Sequence, residues 1–441
     1  MKDVVESTEV FAEPPALPGR WTVCAMLFVA TSINYMDRQV LGILKPVLAQ
    51  SSIHLAPLFP GWPTVEQSIS MSEQQFGYIV SAFSFAYMFG VIFAGRLVDK
   101  LGCRRGYPIV TGLWSLAAMG HALVTSVFGF GVARVFLGLG ESGNFPAAIK
   151  ATAEWFPPKE RSLATGIFNS GANVGAILAP AVVPWVALHF GWRYAFLTTG
   201  LFSASWILWW SLKYRTPRES MEWTRGAVIV PPPGPELAWW KLLAYRQTWG
   251  FALAKFLTDA VWWFYLYWLP SYFNSRFKLD LSHIGLPLII VYNLSVVGSV
   301  GGGWLPRGYE RLGLDLKKSR LAAMLTCALL VLPIGFAGGL TSEWSAVALL
   351  SLAASAHQGW SANLFTTVPD MFPHAYVGTV VSFGQVAGAL GGAIFAAVAG
   401  NILQLTHSYV PLFLYSGSAY LVALLLLRTL APGLKRAMAQ G

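Results

Sequence analysis

The run Asn34-Tyr35-Met36-Asp37-Arg38 sets the problem that the rest of this chain has to solve. It sits well inside an apolar stretch that begins at Trp21 and passes through Leu41, Ile43 and Leu44 to Leu48. A helix needs about 20 apolar residues to cross a bilayer, and this stretch is long enough. An acid and a base near the middle of a span cost about 2.5–3.5 kcal/mol each on insertion scales. Such groups persist where they face a polar cavity or a partner, so they mark a pathway. The plain alternative is a short cytoplasmic turn between two brief helices. Against it, no helix breaker follows Asp37 until Pro46.

The bulk composition agrees with a membrane chain. Of 441 residues, 55% are hydrophobic and only 11% charged, and the mean hydropathy is +0.54. Soluble domains carry about 25% charged residues. The net charge of +10 raises the question of nucleic acid. The basic residues form no continuous patch, however, and fall in short clusters between apolar runs, so no nucleic-acid partner is expected. Cys24, Cys103 and Cys327 lie far apart in or beside apolar segments, with no disulfide or metal spacing. They read as small buried hydrophobes. The first twenty residues hold Asp3, Glu6, Glu9 and Glu13, unlike the basic start and apolar core of a cleaved signal peptide.

Outward from the first span, apolar runs are expected as helices at about 21–49, 76–98, 107–125, 127–150, 162–188 and 194–212. A polar segment follows, with Arg215, Arg218, Arg225 and the run Pro231-Pro232-Pro233-Gly234-Pro235, which cannot be helical. Six more spans come after it, at about 247–275, 283–305, 319–338, 343–368, 376–401 and 408–430. The chain thus divides into a cytoplasmic tail 1–19, a six-helix bundle 20–213, a cytoplasmic linker 214–245, a second six-helix bundle 246–430 and a cytoplasmic tail 431–441.

Loop charge gives the orientation. Lys100, Arg104, Arg105, Lys159, Arg161, the linker, Arg307, Arg311, Lys317, Lys318, Arg320, Lys435 and Arg436 all fall on one side. The opposite loops are nearly bare, with only Arg193, Arg276 and Lys278 dissenting. Both termini are therefore expected in the cytoplasm. The two halves also repeat. Glu154-Trp155-Phe156-Pro157 answers Asp370-Met371-Phe372-Pro373, and in that register Gly143 aligns with Gly359 and Gly175 with Gly391. Internal repeats of this kind are a transporter signature, with the binding site at the midplane between halves.

These stretches resemble the major facilitator superfamily. Gly95-Arg96-Leu97-Val98-Asp99-Lys100-Leu101-Gly102-Cys103-Arg104-Arg105 is similar to its loop signature after the second span. There Gly95, Asp99, Arg104 and Arg105 would form a conformational latch. The second-half copy, Gly303-Trp304-Leu305-Pro306-Arg307 to Arg311-Leu312-Gly313, lacks the acid. Within the superfamily the chain is similar to the anion:cation symporters, on their hexuronate and sugar-acid branch. The carrying tracts are Tyr35 to Gln39, Arg134 to Pro146, Ile167 to Asn173, Trp262 to Tyr265 with Trp268-Leu269-Pro270, and His357 to Asn363. Two features depart from the pattern: a long loop at Ser51 to Ser70, and Ser84 where the branch often has glutamine.

The resemblance implies an all-α carrier of twelve transmembrane helices in two pseudo-symmetric bundles. Its expected activity is import of an organic anion, most simply a hexuronate or other sugar acid, with protons. Other carboxylates of the same family and a transport-derived sensor stay open as alternatives. It further implies that Asp37 and Glu141 take up protons, with Arg134 tuning Glu141 or attracting the anion, and that Arg38 meets the substrate carboxylate. A static salt bridge that locks helices is the structural alternative.

Arg134 and Glu141 are seven residues apart, about 10 Å along one helix face, too far for a direct pair. Glu141 is therefore expected near Arg38, with Arg134 closer to the outer mouth. Lys255 and Asp259, four apart, can pair, and two readings of Lys255 stay open, a second anion anchor or a latch. Lys45 is expected to snorkel to the interface. Asn169, Ser361 and Asn363 can read sugar hydroxyls, since amides and hydroxyls both donate and accept. Tyr35, Tyr87 and Trp360 would wall the site. For Ser170 and Asn173 interhelical bonding is preferred.

No cofactor beyond the coupling proton and no metal are expected, and a carrier working as a monomer in the inner (plasma) membrane is implied. No Gly-x-x-x-x-Gly-Lys loop is present to indicate ATP drive. An intramembrane enzyme would need clustered reactive groups, whereas His121, His189, His357 and His407 are scattered over different spans. A drug antiporter of the same fold would be expected to carry a Gly-Pro pair in its fifth span, which Gly171 to Pro180 lacks.

Overall fold

The computed structural model describes residues 17–49, 69–156, 158–215 and 239–437. Most of the N-terminal tail, nearly all of the long loop from Ser51 and the proline run of the linker lie outside the described residues. So do the Asp99 side chain and the surroundings of Gly95, two of the four expected latch residues. Arg104 and Arg105 are exposed just after Gly102, whose φ of +71° makes the turn between two spans.

Among the described residues the chain is helical without strands. α1 is Arg20–Leu48, α2 Glu73–Gly120, α3 Val127–Glu141, α4 Asn144–Trp155, α5 Pro158–Phe190 and α6 Trp192–Lys213. After the linker come α7 Arg246–Phe277, α8 Gly285–Arg311, α9 Leu316–Val331, α10 Glu343–Met371, α11 His374–Thr406 and α12 Val410–Leu430. Two spans run through α2, which turns at Gly102, and one span is shared by α3 and α4, so the helices make twelve crossings. The α3–α4 break has a local cause. Pro146 has no N–H to give the carbonyl of Ser142, so the regular ladder stops just past Glu141. α1, by contrast, runs unbroken through Asp37 and Arg38, which removes the alternative of a turn at that point.

Among the described residues, six helices are long and apolar enough to cross a membrane by length and composition alone. The helices bearing Arg38, Glu141 and Lys255 are not among them: α3 is short, and α1 and α7 carry buried charge. Elsewhere the outer surface is apolar, with Leu116, Leu208, Trp304 and Leu425 more than half exposed. In water such a surface would associate; against hydrocarbon it is solvated.

The sequence repeat is visible in the packing. α4 ends on Phe156 (φ −113°, ψ 136°) and α10 ends on Phe372 (φ −126°, ψ 146°). Each phenylalanine N–H donates to the carbonyl four residues back, Thr152 and Val368. Gly175 lets α5 lie directly on α1, where a Cβ would come within 2.2 Å of the Ser32 carbonyl. Its counterpart Gly391 does the same for α11 on α7, at 2.0 Å from the Phe256 carbonyl. Small residues give such close crossings in lipid, where helix association rests on packing rather than on water exclusion.

The first six spans meet the second six through α1 with α7, α2 with α11, and α5 with α8. The close approaches lie toward the end away from the linker. Gly42 meets Tyr267, Gly77 meets Gly400, and Gly285 meets Pro180. Lys45, near that end of α1, does not snorkel. It is 3% exposed and paired with Glu73, in the first turn of α2, where a carboxylate also suits the helix dipole.

Candidate functional site

α1 carries Asp37 and Arg38 into the middle of the molecule, and both are buried. Arg38 Nε donates to Glu141 Oε2 at 2.6 Å, with the two side chains 3% and 0% exposed. The guanidinium lies over four rings: Tyr35 at 4.8 Å, Tyr87 at 4.6 Å, Phe83 at 5.6 Å and Trp263 at 5.2 Å to centroid. The first three belong to the first-half helices α1 and α2; Trp263 reaches across from α7. Aromatic faces attract a cation, and more strongly when it is desolvated. The cage therefore holds Arg38 in place without using its remaining hydrogen-bond donors.

Arg134 Nη2 donates to the Arg38 carbonyl at 3.2 Å. Glu141 and Arg134 thus approach Arg38 from different sides, as their seven-residue spacing requires. Asp37 Oδ2 accepts from Ser203 Oγ at 3.3 Å, and Ser203 itself accepts from Trp114 Nε1 at 2.8 Å. Around this centre lie buried polar atoms with no hydrogen-bond partner among the described residues: both amide atoms of Asn34, Asp37 Oδ1, Arg134 Nε and Nη1, Glu141 Oε1 and the Tyr267 hydroxyl. Buried polar groups are seldom left unpaired. These belong to the residues of the charged centre and their neighbours, and they are the atoms available there to a polar ligand or to protons.

Lys255 and Asp259 form the expected pair at 2.7 Å. The lysine is 5% exposed and the aspartate 16%; the Lys255 ammonium also lies 4.4 Å from the Phe365 ring centre. Asn169 is exposed on α5, and Ser361 is half-buried on α10. Ser170 donates to Ile167 within its own helix at 2.6 Å rather than between helices. Asn173 meets Gln358 of the opposite half at 3.5 Å.

Two expected contacts are placed elsewhere. Trp360 is fully buried and packs edge-on against Tyr420 of α12, so it is core of the second half and not a wall of the central site. Asn363 is 2% exposed, and its amide donates to Gly302 at 2.7 Å and Gly359 at 2.8 Å. It joins α10 to α8, because a buried amide in an apolar bundle takes the nearest free carbonyl.

Phe83, Ser203, Gln358 and Tyr267 were absent from the expected site. Phe83 had a signal, one turn before Tyr87 on the same face. Trp263, within the Trp262 to Tyr265 tract, likewise lies one turn beyond Asp259. Ser203 sits in an apolar span with nothing to single it out. Ser84 donates to Val80 within its own helix. The three cysteines are buried free thiols, and among the described residues no three His, Cys, Asp or Glu groups gather as for a metal. Cavities of about 510 and 420 Å³ have almost wholly apolar linings, and neither is lined by Asp37, Arg38, Arg134 or Glu141.

The Major Facilitator Superfamily profile matches residues 27–396. The chain is 30% identical to the hexuronate transporter of Escherichia coli K12 over 405 residues, 89% of this chain and 90% of that one. It is also 30% identical to the galacturonate transporter of Dickeya chrysanthemi over 346 residues, 76% of this chain and 95% of the relative. A solved D-xylose–proton symporter covers 94% of this chain and 98% of its own, with a TM-score of 0.71 at 15% identity, a likeness of fold. The chain therefore belongs to the Major Facilitator Superfamily, in the branch that holds the hexuronate and galacturonate transporters, and is a membrane transporter rather than an enzyme.

Proposed function

We propose that this protein imports a sugar-acid anion together with protons, by alternating access, across the bacterial inner membrane. The observation that carries the reading is the buried Arg38–Glu141 pair inside its aromatic cage. Breaking a buried pair by removing one partner costs about 3–5 kcal/mol, because a charge is left alone. A substrate carboxylate can take over Arg38 only if Glu141 is neutralised at the same time, and a proton does that. Substrate and proton then bind as a unit. Asp37, one residue from Arg38 and held by Ser203, is the second candidate proton carrier. Arg134 balances the charge around both carboxyls. The names of the relatives support sugar acids as the substrate class.

The basic loops put the linker and both termini in the cytoplasm. The halves then meet at the outer end, through Gly77 with Gly400 and Gly285 with Pro180, and rocking about the central site would open that seam. A single chain working as a monomer is part of this proposal.

Proteoliposomes with an imposed inward proton gradient test the reading. Labelled galacturonate or glucuronate should accumulate above its outside concentration, and a protonophore should abolish the excess. Binding without accumulation would instead identify a sensor.

A further inference from the structure

Lys255 and Asp259 are the other charged pair at the heart of the molecule, and their roles divide unequally. The lysine is the more buried of the two, and it is occupied by Asp259 Oδ2 and the Phe365 face. The aspartate is the more open, and among the described residues only its Oδ2 has a hydrogen-bonding partner. One contact and its place on α7 fix where Asp259 lies. Its carboxylate lies against Gly388 of α11, where a Cβ would come within 2.2 Å of Oδ2. It also precedes by one turn, about 6 Å along the axis, the Trp263 ring that covers Arg38. Asp259 thus lies one turn from the Arg38 cage, on its linker side, between α7 and α11.

We propose that Asp259, held in place by Lys255, is the specificity residue that reads the hydroxyl-bearing end of the substrate and selects monocarboxylic polyhydroxy acids over dicarboxylic ones. This rests on the reading of Arg38 as the carboxylate anchor. An ionised carboxylate only accepts hydrogen bonds. Oδ1 therefore rewards a ligand that brings O–H donors to that end and rejects one that brings a second carboxylate. Lys255 is a positioning residue: it fixes Oδ2 and offsets the negative charge that would otherwise repel any anion. This differs from a second anion anchor, since the ammonium is already satisfied.

The test measures binding of D-glucuronate, D-glucarate and hexanoate to purified full-length protein, with the melting temperature of each variant as the check on folding. Wild type should prefer glucuronate to both others by about tenfold or more, the range of a charge-assisted hydrogen bond. Asp259→Asn supplies a donor and should narrow the gap between glucuronate and glucarate. The double variant Lys255→Met with Asp259→Leu avoids a lone buried charge; it should lose preference for glucuronate over hexanoate while hexanoate binding stays the same. Wild-type preferences in either folded variant would overturn the proposal, as would wild-type protein that binds glucarate best. Failure of wild type to bind any sugar acid would instead strike the proposed function itself.

Discussion

Arg38 concentrates the chemistry of this protein in one side chain. Its charge is balanced by Glu141, its faces are covered by four rings, and its carbonyl is bonded by Arg134. Arg38→Ala should lower affinity for sugar acids by about a hundredfold or more, the loss expected for a buried charged hydrogen bond; titration calorimetry that finds affinity retained would remove it as anchor. Glu141→Gln keeps the shape and removes the titrating charge. It should still exchange labelled for unlabelled substrate but lose gradient-driven accumulation, and unchanged concentrative uptake would take Glu141 out of the coupling. Asn363 offers a contrast at the same scale. Its amide bonds two backbone carbonyls on α8 and α10, and interhelical bonds in membranes are worth about 0.6–2 kcal/mol. Asn363→Ala should lower the melting temperature and leave substrate affinity intact; lost affinity in a stable variant would return Asn363 to the site.

Helices here are placed by what their small residues permit. Gly175 and Gly391 hold equivalent positions in the repeat, and each brings its helix onto the backbone of the helix it crosses. The two span ends at Phe156 and Phe372 share one extended conformation and one pattern of hydrogen bonding. The duplication was therefore legible from the acid-x-Phe-Pro match, because that tract encodes how a helix stops. Gly391→Leu would drive a side chain into the Phe256 carbonyl, and overpacking costs about 1–3 kcal/mol. The expected outcome is a clear drop in melting temperature, larger than for a leucine at Gly303, whose Cβ position is open. Equal effects at both sites would show that the crossing does not depend on close approach.

The whole molecule turns on the seam between its halves. Away from the linker, Gln74 Nε2 donates to Asn401 Oδ1 at 2.8 Å, and the backbones of Gly77 and Gly400 nearly touch. If this seam opens in each cycle, joining Gln74→Cys to Asn401→Cys with a short cleavable thiol reagent should stop uptake, and reduction should restore it. The three native cysteines are buried and lie away from this seam. Full transport by the cross-linked protein would show that the seam stays shut throughout the cycle.

The amino-acid sequence by itself determined the twelve spans, the repeat and the charged centre. Hydrophobic length, proline and the cost of buried charge are properties of short segments, and Asp37, Arg38, Glu141 and Lys255 stand out against apolar surroundings. It also placed Glu141 near Arg38, since seven residues along one helix keep Arg134 and Glu141 from meeting. Only the tertiary structure decided which neutral residues face the centre. Trp360 and Asn363 went to the core of the second half, Lys45 went to Glu73, and Trp263, Phe83 and Ser203 came to the site. A tryptophan or serine in an apolar span has the same local signature whichever way it points. Its direction is set by how each helix is rotated against its neighbours, and that is fixed by contacts such as Gly175 on Ser32 and Gly391 on Phe256, between residues far apart in the chain.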